Sequence, residues 1–253
     1  MKTVAGIFGL LYKLYFGIVF YITLIILYPL IWFLTNKESR YKYCFKLKVI
    51  WSRILQALLL IYIKKEKNHQ FTEEPVIVCA NHSSYLDIVF MYTVAPTPFL
   101  FIGKNDLLKW PLFKRFFKTM DIAVKRNNKM TAARVLEHAK EGIDKGWSIS
   151  IFPEGGISTK VPVLQRFKDG AFKLAIEKQI PIVPISFNNN WILFSDPSEV
   201  LGMAHPGIAK VVVHEAIETK GMTEKDLVSL RQQVFDVIEK PIKNYNQSAY
   251  ENR

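Results

Sequence analysis

A histidine and an aspartate five residues apart, His82 and Asp87, are the side chains of this sequence best suited to proton transfer. They follow a predicted buried strand over residues 76–79, in the segment Ala-Asn-His-Ser-Ser-Tyr-Leu-Asp. A neutral imidazole takes a proton from an alcohol near pH 7, and a neighbouring carboxylate fixes its tautomer and stabilises the imidazolium that forms. The pair therefore predicts a general base that activates a hydroxyl group of the substrate without a separate serine or cysteine nucleophile.

The spacing also allows a purely structural interpretation. Asn81 or Ser83 would cap the following helix, Asp87 would stabilise its positive end, and His82 would be an ordinary partly buried histidine. Five residues do not share one face of a helix, so the pair closes only if His82 lies on the loop and Asp87 within the first turns. That position, at the end of a strand and the start of a helix, is where α/β sheets usually bind ligands.

A second polar segment, Pro-Glu-Gly-Gly-Ile-Ser, follows a predicted strand over residues 148–152. Its glycines would let a ligand approach backbone N–H groups closely, and Glu154 adds a carboxylate. A simple turn after a strand would explain the same proline and glycines. The two segments together favour a ligand site more strongly than either does alone.

Strand-like runs alternate with helical patterns from residue 71 onward. The predicted strands cover residues 76–79, 99–102, 122–124, 148–152, 182–187 and 210–213, and the predicted helices cover residues 85–93, 106–118, 130–145 and 168–178. This alternation predicts an α/β domain, a mixed sheet flanked by helices. A last helix over residues 223–240 is predicted to have Thr223 as its N-cap and to stop at Pro241.

The N-terminal segment carries a membrane signal. Residues 14–34 hold no charged residue, and a helix of that length covers about 30 Å, one hydrocarbon thickness. The run is longer than the apolar core of a signal peptide, which favours a retained membrane helix over a cleaved one. Basic residues then follow, namely Lys37, Arg40, Lys42, Lys46 and Lys48, whereas only Lys2 and Lys13 precede the run. This bias predicts that the downstream side is cytoplasmic.

Residues 45–63 are predicted to form a second helix, whose uncharged stretch over residues 54–63 is too short to span a bilayer. It would lie in the interface or pack on the first helix, and the sequence leaves open whether the pair spans or is re-entrant. A basic cluster, Lys64, Lys65 and Lys67, follows at the predicted end of the membrane segment. The predicted division is residues 1–67 as membrane helices, 68–246 as the α/β domain with its C-terminal helix, and 247–253 as a tail.

Composition and charge limit the classes of function. The 253 residues are 50% hydrophobic, which excludes disorder, and Lys+Arg 34 against Asp+Glu 22 gives a net charge of +12 that attracts phosphates or anionic headgroups. Over residues 99–120 aromatic side chains alternate with basic ones such as Lys104, which favours a membrane surface, although some of the rings would fill the core. No nucleic-acid motif occurs, and we expect no nucleic-acid partner.

The cysteines and histidines predict neither a disulfide framework nor a metal site. Cys44 and Cys79 are too few for a disulfide scaffold, and they indicate a reducing compartment. The other histidines do not lie near acidic residues at the sequence spacings typical of metal ligands, so we expect no bound metal.

Four segments in order resemble the sequence blocks of the glycerolipid acyltransferases, and among these the bacterial 1-acyl-sn-glycerol-3-phosphate acyltransferases most of all. They are residues 81–87 (Asn-His-Ser-Ser-Tyr-Leu-Asp), 122–126 (Ile-Ala-Val-Lys-Arg), 152–155 (Phe-Pro-Glu-Gly) and 180–185 (Ile-Pro-Ile-Val-Pro-Ile). Residues 167–170, Phe-Lys-Asp-Gly, also match the stretch that usually follows the third block. Four blocks in order, over roughly residues 71 to 190, make the resemblance specific.

The resemblance implies a single-displacement acyl transfer without a cofactor. His82 would deprotonate the free hydroxyl of a lysolipid, Asp87 would orient the imidazole, and the hydroxyl would attack the thioester of acyl-CoA or acyl-carrier protein. The implied acceptor is 1-acyl-sn-glycerol-3-phosphate and the product phosphatidate, made on the cytoplasmic face of the cytoplasmic membrane among membrane lipids. The implied substrate-binding residues are Asn81, Lys104, Arg126, Glu154, Gly155, Ser158 and Lys168.

Two departures from the family pattern concern the acceptor. The family's third block normally continues Thr-Arg-Ser, whereas this chain has Gly156, Ile157 and Ser158, and its second block normally opens with Gly, where this chain has Met120. The arginine that would clamp a phosphate is absent, so a replacement charge would come from Lys160, Arg166 or Lys168.

Three other functions stay open on the sequence. The acceptor could be another lysolipid, such as a mono-acylated aminolipid of the lyso-ornithine or lyso-glycine type. The His-Asp pair could instead activate water, which would make the protein a thioesterase. A non-catalytic lipid-binding protein is the third alternative, and the intact pair argues against it, because a pure binder needs no base.

Overall fold

The computed structural model describes residues 2–67, 75–95, 97–104, 112–124, 129–196 and 198–247. Their helices are α1 (Lys2–Leu34), α2 (Tyr41–Leu58), α3 (Leu86–Val94), α4 (Phe113–Thr119), α5 (Lys129–Asp144), α6 (Gly170–Lys178), α7 (Asn190–Leu193) and α8 (Leu227–Tyr245). Their strands are β1 (Ile61–Lys67), β2 (Ile77–Ala80), β3 (Phe99–Lys104), β4 (Ile122–Val124), β5 (Ser148–Ile151), β6 (Ile182–Phe187) and β7 (Gly207–Val213). Short 3-10 turns, Glu38–Arg40 and Glu224–Asp226, precede α2 and α8.

The strands form one mixed sheet in the order β1-β7-β6-β2-β5-β3-β4. β6 and β7 run antiparallel, and the other neighbouring pairs run parallel. β2 and β6 are buried throughout, as short apolar strands covered on both faces are. Because β2 lies between β5 and β6 and is parallel to both, the segments that follow these three strands meet at one edge of the sheet.

The predicted mixed sheet flanked by helices is confirmed, and most of the predicted elements are present. The six predicted strands form with their ends shifted by at most three residues, and the helices predicted over residues 85–93, 130–145 and 168–178 form as α3, α5 and α6. The helix predicted over residues 106–118 overlaps α4, which ends one residue later at Thr119, and residues 106–111 lie outside the described residues.

α1 is the one described helix long and apolar enough to cross a membrane, over residues Val4–Leu34 with a mean hydropathy of 2.3. One face of it packs on the rest of the chain: Leu24 and Ile31 are buried, and the Tyr12 hydroxyl donates to the carbonyl of Leu59 at 2.5 Å. Its other face exposes large apolar side chains, among them Ile7, Phe8, Leu11, Leu14, Ile18, Ile22, Ile25 and Ile26. The helix therefore has one face in the protein core and one face suited to lipid.

The prediction of a second helix over residues 45–63 is wrong at its C-terminal end. α2 ends at Leu58, Leu60 adopts a positive φ of 53°, and β1 begins at Ile61. Ile61 is fully buried while Tyr62 is exposed, so the chain here follows the two-residue period of a strand. The lysines at 64, 65 and 67 accordingly lie in a strand that pairs with β7, although the predicted division puts them with the membrane helices.

The prediction that the last helix stops at Pro241 is also wrong. Thr223 is the N-cap, as predicted, and forms a capping box with Asp226, and α8 then continues through the proline to Tyr245. Ile242 is 1% exposed and extends the buried stripe of Leu230, Val234 and Ile238. Burial of that side chain offsets the single backbone hydrogen bond that the proline removes.

In the described part of the aromatic and basic stretch over residues 99–120, several of the rings pack into the core. Phe99, Phe101 and Phe116 are buried, so these rings do not lie at a membrane surface. Arg115 donates from Nε to the Thr35 hydroxyl at 2.9 Å, at the C-terminal end of α1. In these residues, core packing accounts for a pattern that the sequence analysis assigned to lipid contact.

Candidate active site

The loop between β2 and α3 brings His82 and Asp87 together. His82 Nδ1 and Asp87 Oδ2 lie 3.1 Å apart, with His82 on the loop and Asp87 as the second residue of α3. The five-residue gap therefore closes across the start of the helix, as the sequence analysis required. Because an ionised carboxylate only accepts hydrogen bonds, this contact places the imidazole proton on Nδ1 and leaves Nε2 as the basic nitrogen.

Asp87 is completely buried, and hydrogen-bond donors surround its carboxylate. Oδ2 accepts the backbone N–H groups of Ser83 at 2.6 Å and Ser84 at 2.8 Å in addition to the His82 contact, and Oδ1 accepts Nδ2 of Asn190 at 2.7 Å. A buried charge needs such donors, because it is costly when unpaired. Asp87 thus bonds the first N–H groups of the helix segment and also orients the histidine, so both interpretations of this residue apply together.

The imidazole of His82 rests on the ring of Phe152, which directly follows β5. The two rings are stacked, with centroids 4.1 Å apart and planes 10° apart, and the His82 side chain is 11% exposed. The base is therefore held between a carboxylate and a flat apolar surface, and part of its edge stays accessible.

Glu154 connects the histidine loop to the glycine-rich turn. Its Oε1 accepts the backbone N–H of His82 at 2.8 Å, and its Oε2 accepts the backbone N–H of Gln165 at 2.8 Å. Burial raises the pKa of Glu154 to about 7, and the bonds from Gln165 and His82 oppose that rise. Both carboxylate oxygens are thus occupied by the backbone, which supports a role in holding the loop rather than in direct contact with a substrate.

Gly155 and Lys168, both predicted to bind substrate, lie against each other at this turn. Gly155 has a φ of 81°, and a Cβ added to it would lie 2.6 Å from Nζ of Lys168, so a larger residue would strain the backbone and displace the lysine. Lys168 is exposed, and it forms no ion pair with a carboxylate among the residues that the structure describes. The structure therefore leaves its positive charge available beside the turn.

The other predicted substrate-binding residues do not all reach this place. The Asn81 amide is 1% exposed and exchanges two hydrogen bonds with the Phe187 backbone, so the structure gives it a positioning role between β2 and β6 in place of the predicted substrate contact. Ser158 is buried, and its hydroxyl accepts the backbone N–H of Lys160 at 3.1 Å. Arg126 lies outside the described residues, as does the side chain of Lys104, whose backbone ends β3.

Asn190 is a site residue that the sequence analysis missed. It follows β6, and its side chain reaches Asp87 because β6 is a parallel neighbour of β2. The available signal was its position after a strand of the fourth block, although no spacing to His82 pointed to it. Within the described ranges, no three His, Cys, Asp or Glu side chains are grouped to hold a metal, and the expected absence of metal and cofactor stays a prediction.

The fold and this site are those of an α/β protein whose imidazole, oriented by a buried carboxylate, can accept a proton from a hydroxyl group or water. Residues 61–188, just over half of the chain, match the protein-family model described as Acyltransferase. The chain belongs to this acyltransferase family, and the resemblance seen in its sequence blocks is confirmed.

Two relatives and one solved structure show how far the similarity extends. The chain is 30% identical over 168 residues to a putative 1-acyl-sn-glycerol-3-phosphate acyltransferase of Caenorhabditis elegans, covering 66% of this chain and 58% of that relative. It is 29% identical over 158 residues to human 1-acyl-sn-glycerol-3-phosphate acyltransferase beta, covering 62% of this chain and 55% of that relative. The chain thus matches little more than half the length of these relatives.

The fold is similar over nearly the whole chain to a crystal structure. That structure is the 1-acyl-sn-glycerophosphate (LPA) acyltransferase PlsC from Thermotoga maritima, with a TM-score of 0.78 and 22% identity, covering 96% of this chain and 97% of that chain. This likeness confirms the architecture of a long apolar N-terminal helix followed by a mixed sheet flanked by helices.

Proposed function

We propose that this chain transfers a fatty acyl group from acyl-CoA or acyl-carrier protein to the free hydroxyl of 1-acyl-sn-glycerol-3-phosphate, and so makes phosphatidate for phospholipid synthesis. The observation that carries the proposal is the 3.1 Å contact between His82 Nδ1 and Asp87 Oδ2 at the carboxyl end of β2. The names of the two relatives support this acceptor, since both are named as 1-acyl-sn-glycerol-3-phosphate acyltransferases, the one from Caenorhabditis elegans as a putative one.

The proposed reaction has one displacement. Nε2 of His82 takes the proton of the acceptor hydroxyl while its oxygen attacks the thioester carbonyl, and Asp87 stabilises the imidazolium. The tetrahedral intermediate then collapses to the new ester, the carbon–sulfur bond breaks, and the leaving thiolate recovers the proton from His82. The backbone N–H of Gly155 already donates to the Phe152 carbonyl at 3.0 Å, so we assign the stabilisation of the oxyanion to the next N–H on the turn, that of Gly156.

Lys168 supports a phosphorylated acceptor. Its ammonium lies against Gly155, one residue after the carboxylate that holds the His82 loop, and it has no described carboxylate as a partner. A lysine binds phosphate as a compact point charge, which suits a headgroup site from which the family's arginine is missing at Ile157. The same missing arginine favours, as the second candidate acceptor, a lyso-aminolipid with a free hydroxyl.

The site is proposed to work at the cytoplasmic face of the cytoplasmic membrane. The exposed apolar face of α1 continues on α2 with Ile50, Ile54 and Leu58, while the opposite face of α1 packs on the α/β domain. Nζ of Lys13, on α1, donates to the Ser195 hydroxyl at 2.8 Å. These contacts favour helices that lie in the interface beside the domain, where an acceptor with two-dimensional access to the bilayer would reach His82.

The test is an acceptor panel with the purified full chain in lipid vesicles. Labelled acyl-CoA and acyl-carrier protein are each offered with lysophosphatidate, a lyso-aminolipid or water, to the wild type and to His82→Ala. We expect labelled phosphatidate from the wild type and none from a His82→Ala sample with the same thermal unfolding midpoint. Acylation of the lyso-aminolipid alone would move the proposal to the second acceptor, and release of free fatty acid alone would make the protein a thioesterase. Turnover retained by His82→Ala would remove the base from the mechanism.

A further inference from the structure

We propose that Asn190 is a positioning residue of the catalytic pair, which sets the plane of the Asp87 carboxylate and through it the basicity of His82. Asn190 is completely buried, and its Nδ2 donates to Asp87 Oδ1 at 2.7 Å. The inference rests on the proposed function to the extent that His82 is the base, and it holds for any reaction that His82 catalyses.

The distribution of donors over the two oxygens of Asp87 gives Asn190 this role. The contacts from His82, Ser83 and Ser84 all go to Oδ2, whereas Asn190 is the partner of Oδ1 within the described chain. Turning about the Cβ–Cγ bond moves both oxygens, so the three contacts to Oδ2 restrain this rotation on one side only. The bond from Asn190 to Oδ1 restrains it on the other side, and the two sets of contacts together fix the direction in which Oδ2 faces the imidazole.

The orientation of the Asn190 amide is determined by its partner. Asp87 is an acceptor only, so the nitrogen of the amide must face it and the oxygen must point away. That oxygen, Oδ1 of Asn190, is buried and has no hydrogen-bond partner among the residues that the structure describes. An unsatisfied buried acceptor destabilises the fold, so the contribution of this asparagine lies in the bond that it makes to Asp87.

The segment that carries Asn190 is held on both sides. The Ser84 hydroxyl donates to the Phe194 carbonyl at 2.7 Å, which is a second contact between this segment and the catalytic loop. On the other side, the centroid of the Phe194 ring lies 4.5 Å from the centroid of the Phe16 ring on α1. Asn190 is therefore fixed between the catalytic loop and the apolar N-terminal helix, as a residue that must hold a carboxylate in place requires.

Loss of the Asn190 donor has a chemical consequence that differs from loss of stability. Without the bond from Asn190, the Asp87 carboxylate turns more freely and carries more of its charge on Oδ2. Its hydrogen bond with Nδ1 of His82 is then less well oriented, and the protonated form of the imidazole is favoured. Turnover falls while binding of the acceptor does not, and the acid limb of the pH–rate profile moves to higher pH. Among the described titratable groups, Glu154 interacts electrostatically with Asp87, and this interaction is present in both wild type and variant.

The experiment compares Asn190→Ala with Asn189→Ala in the full chain in vesicles, using whichever acceptor the wild type acylates. Asn189 is a matched control, because its amide bonds the backbone of Ile208 at 2.9 Å and Lys210 at 2.8 Å and holds β7. We expect Asn190→Ala to lower kcat about tenfold or more with KM within about twofold, and Asn189→Ala to leave kcat within about twofold per folded molecule. Equal kcat losses in the two variants, or none in Asn190→Ala, would overturn the proposal.

Two further measurements keep the test independent of folding and of the acceptor. Asn190→Asp has nearly the same shape, and its carboxyl group donates to Asp87 only while the two carboxylates share a proton, so its activity should decline at high pH where that of the wild type is level. A wild-type pH profile in Asn190→Asp would contradict the proposal. The imidazole signal of His82 is followed by NMR as a function of pH, and it is assigned by its absence from His82→Ala. Its titration midpoint should lie at higher pH in Asn190→Ala than in the wild type, whatever the acceptor is. An identical titration midpoint in wild type and Asn190→Ala would contradict the inference, even if lysophosphatidate proved to be the wrong substrate.

Discussion

The carboxylate of Glu154 accepts the backbone N–H of His82 at 2.8 Å, across the boundary between the neighbouring parallel strands β5 and β2. A single buried side chain therefore connects the loop that carries the base with the turn that carries Gly155 and Lys168. The two sequence blocks that contain these residues lie about seventy positions apart, and this bond is one physical reason for them to occur together.

The first prediction concerns the protonation of Glu154. Burial raises its pKa from 4.5 to about 7 in the folded protein, so the folded state binds this proton more tightly than the unfolded chain does. The resulting stability is complete below pH 4.5 and is lost as the pH rises through 7. Between pH 5.5 and 8 the contribution of this group to the free energy of unfolding should fall by about 2 kcal/mol.

Chemical unfolding of the wild type and of Glu154→Gln at these two pH values tests whether this contribution to stability falls as the pH rises. The glutamine cannot ionise, so the stability advantage of the wild type over Glu154→Gln should shrink by about 2 kcal/mol from pH 5.5 to pH 8. Glu218→Gln, at an exposed glutamate, is the control and should show no such change. An advantage that is constant or grows with pH would show that Glu154 is ionised throughout this range.

The second prediction is that Asp87→Asn lowers kcat on the order of 10³-fold and changes KM little. An asparagine at this position can turn its NH₂ group toward His82, which favours the tautomer that has lost its basic Nε2. Steady-state kinetics on samples of matched folded fraction measure the effect. Asp144→Asn, which removes a charge from an exposed ion pair with Lys178, is the control. An unaltered kcat in Asp87→Asn would leave Asp87 with its helix-capping role alone.

The third prediction separates backbone strain from displacement of Lys168. Gly155 and Gly146 have nearly the same positive φ, 81° and 82°, but an added Cβ meets Lys168 at the first and nothing within 4 Å at the second. Both alanine variants should lose about 1 kcal/mol of stability. Only Gly155→Ala should also raise KM for lysophosphatidate, by about fivefold or more, as Lys168→Met should. Equal KM values in the two glycine variants would exclude the Lys168 headgroup site.

The fourth prediction concerns a buried ion pair between α2 and the sheet. Nζ of Lys48 lies 2.8 Å from Asp121 Oδ2, both residues are under 10% exposed, and Asp121 Oδ1 also accepts the backbone N–H of Phe101. Lys48→Met leaves the aspartate buried without its counter-charge and should lower the free energy of unfolding by about 3–5 kcal/mol. Chemical unfolding should show most of this loss restored by the added change Asp121→Asn. A single variant as stable as the wild type would mean that water reaches Asp121.

The sequence predicted those parts of the fold that depend on local pattern. Alternating strand and helix periods located the sheet, and His82 and Asp87 were identified because both belong to one short loop and helix start. The ends of α2 and α8 were predicted wrongly because burial at Ile61 and Ile242 outweighed the local apolar run and the proline.

Contacts between distant segments were beyond local pattern. The Asn190 bond to Asp87 depends on the order of the strands, which brings β6 next to β2. Lys48 was counted among the basic residues that follow the membrane helix, and nothing local pointed to its partner, which lies 73 positions away. Asn81 lies in a block shared with the family, and its position there gave no sign that its amide pairs with the backbone of Phe187.

α1 forms part of the protein interior, because Leu24 and Ile31 are buried while its opposite side exposes large apolar residues. Truncation of α1 would expose apolar core residues that the helix now covers. A water-soluble variant of this enzyme should therefore be made by polar substitutions on the exposed side of α1, with the helix itself retained.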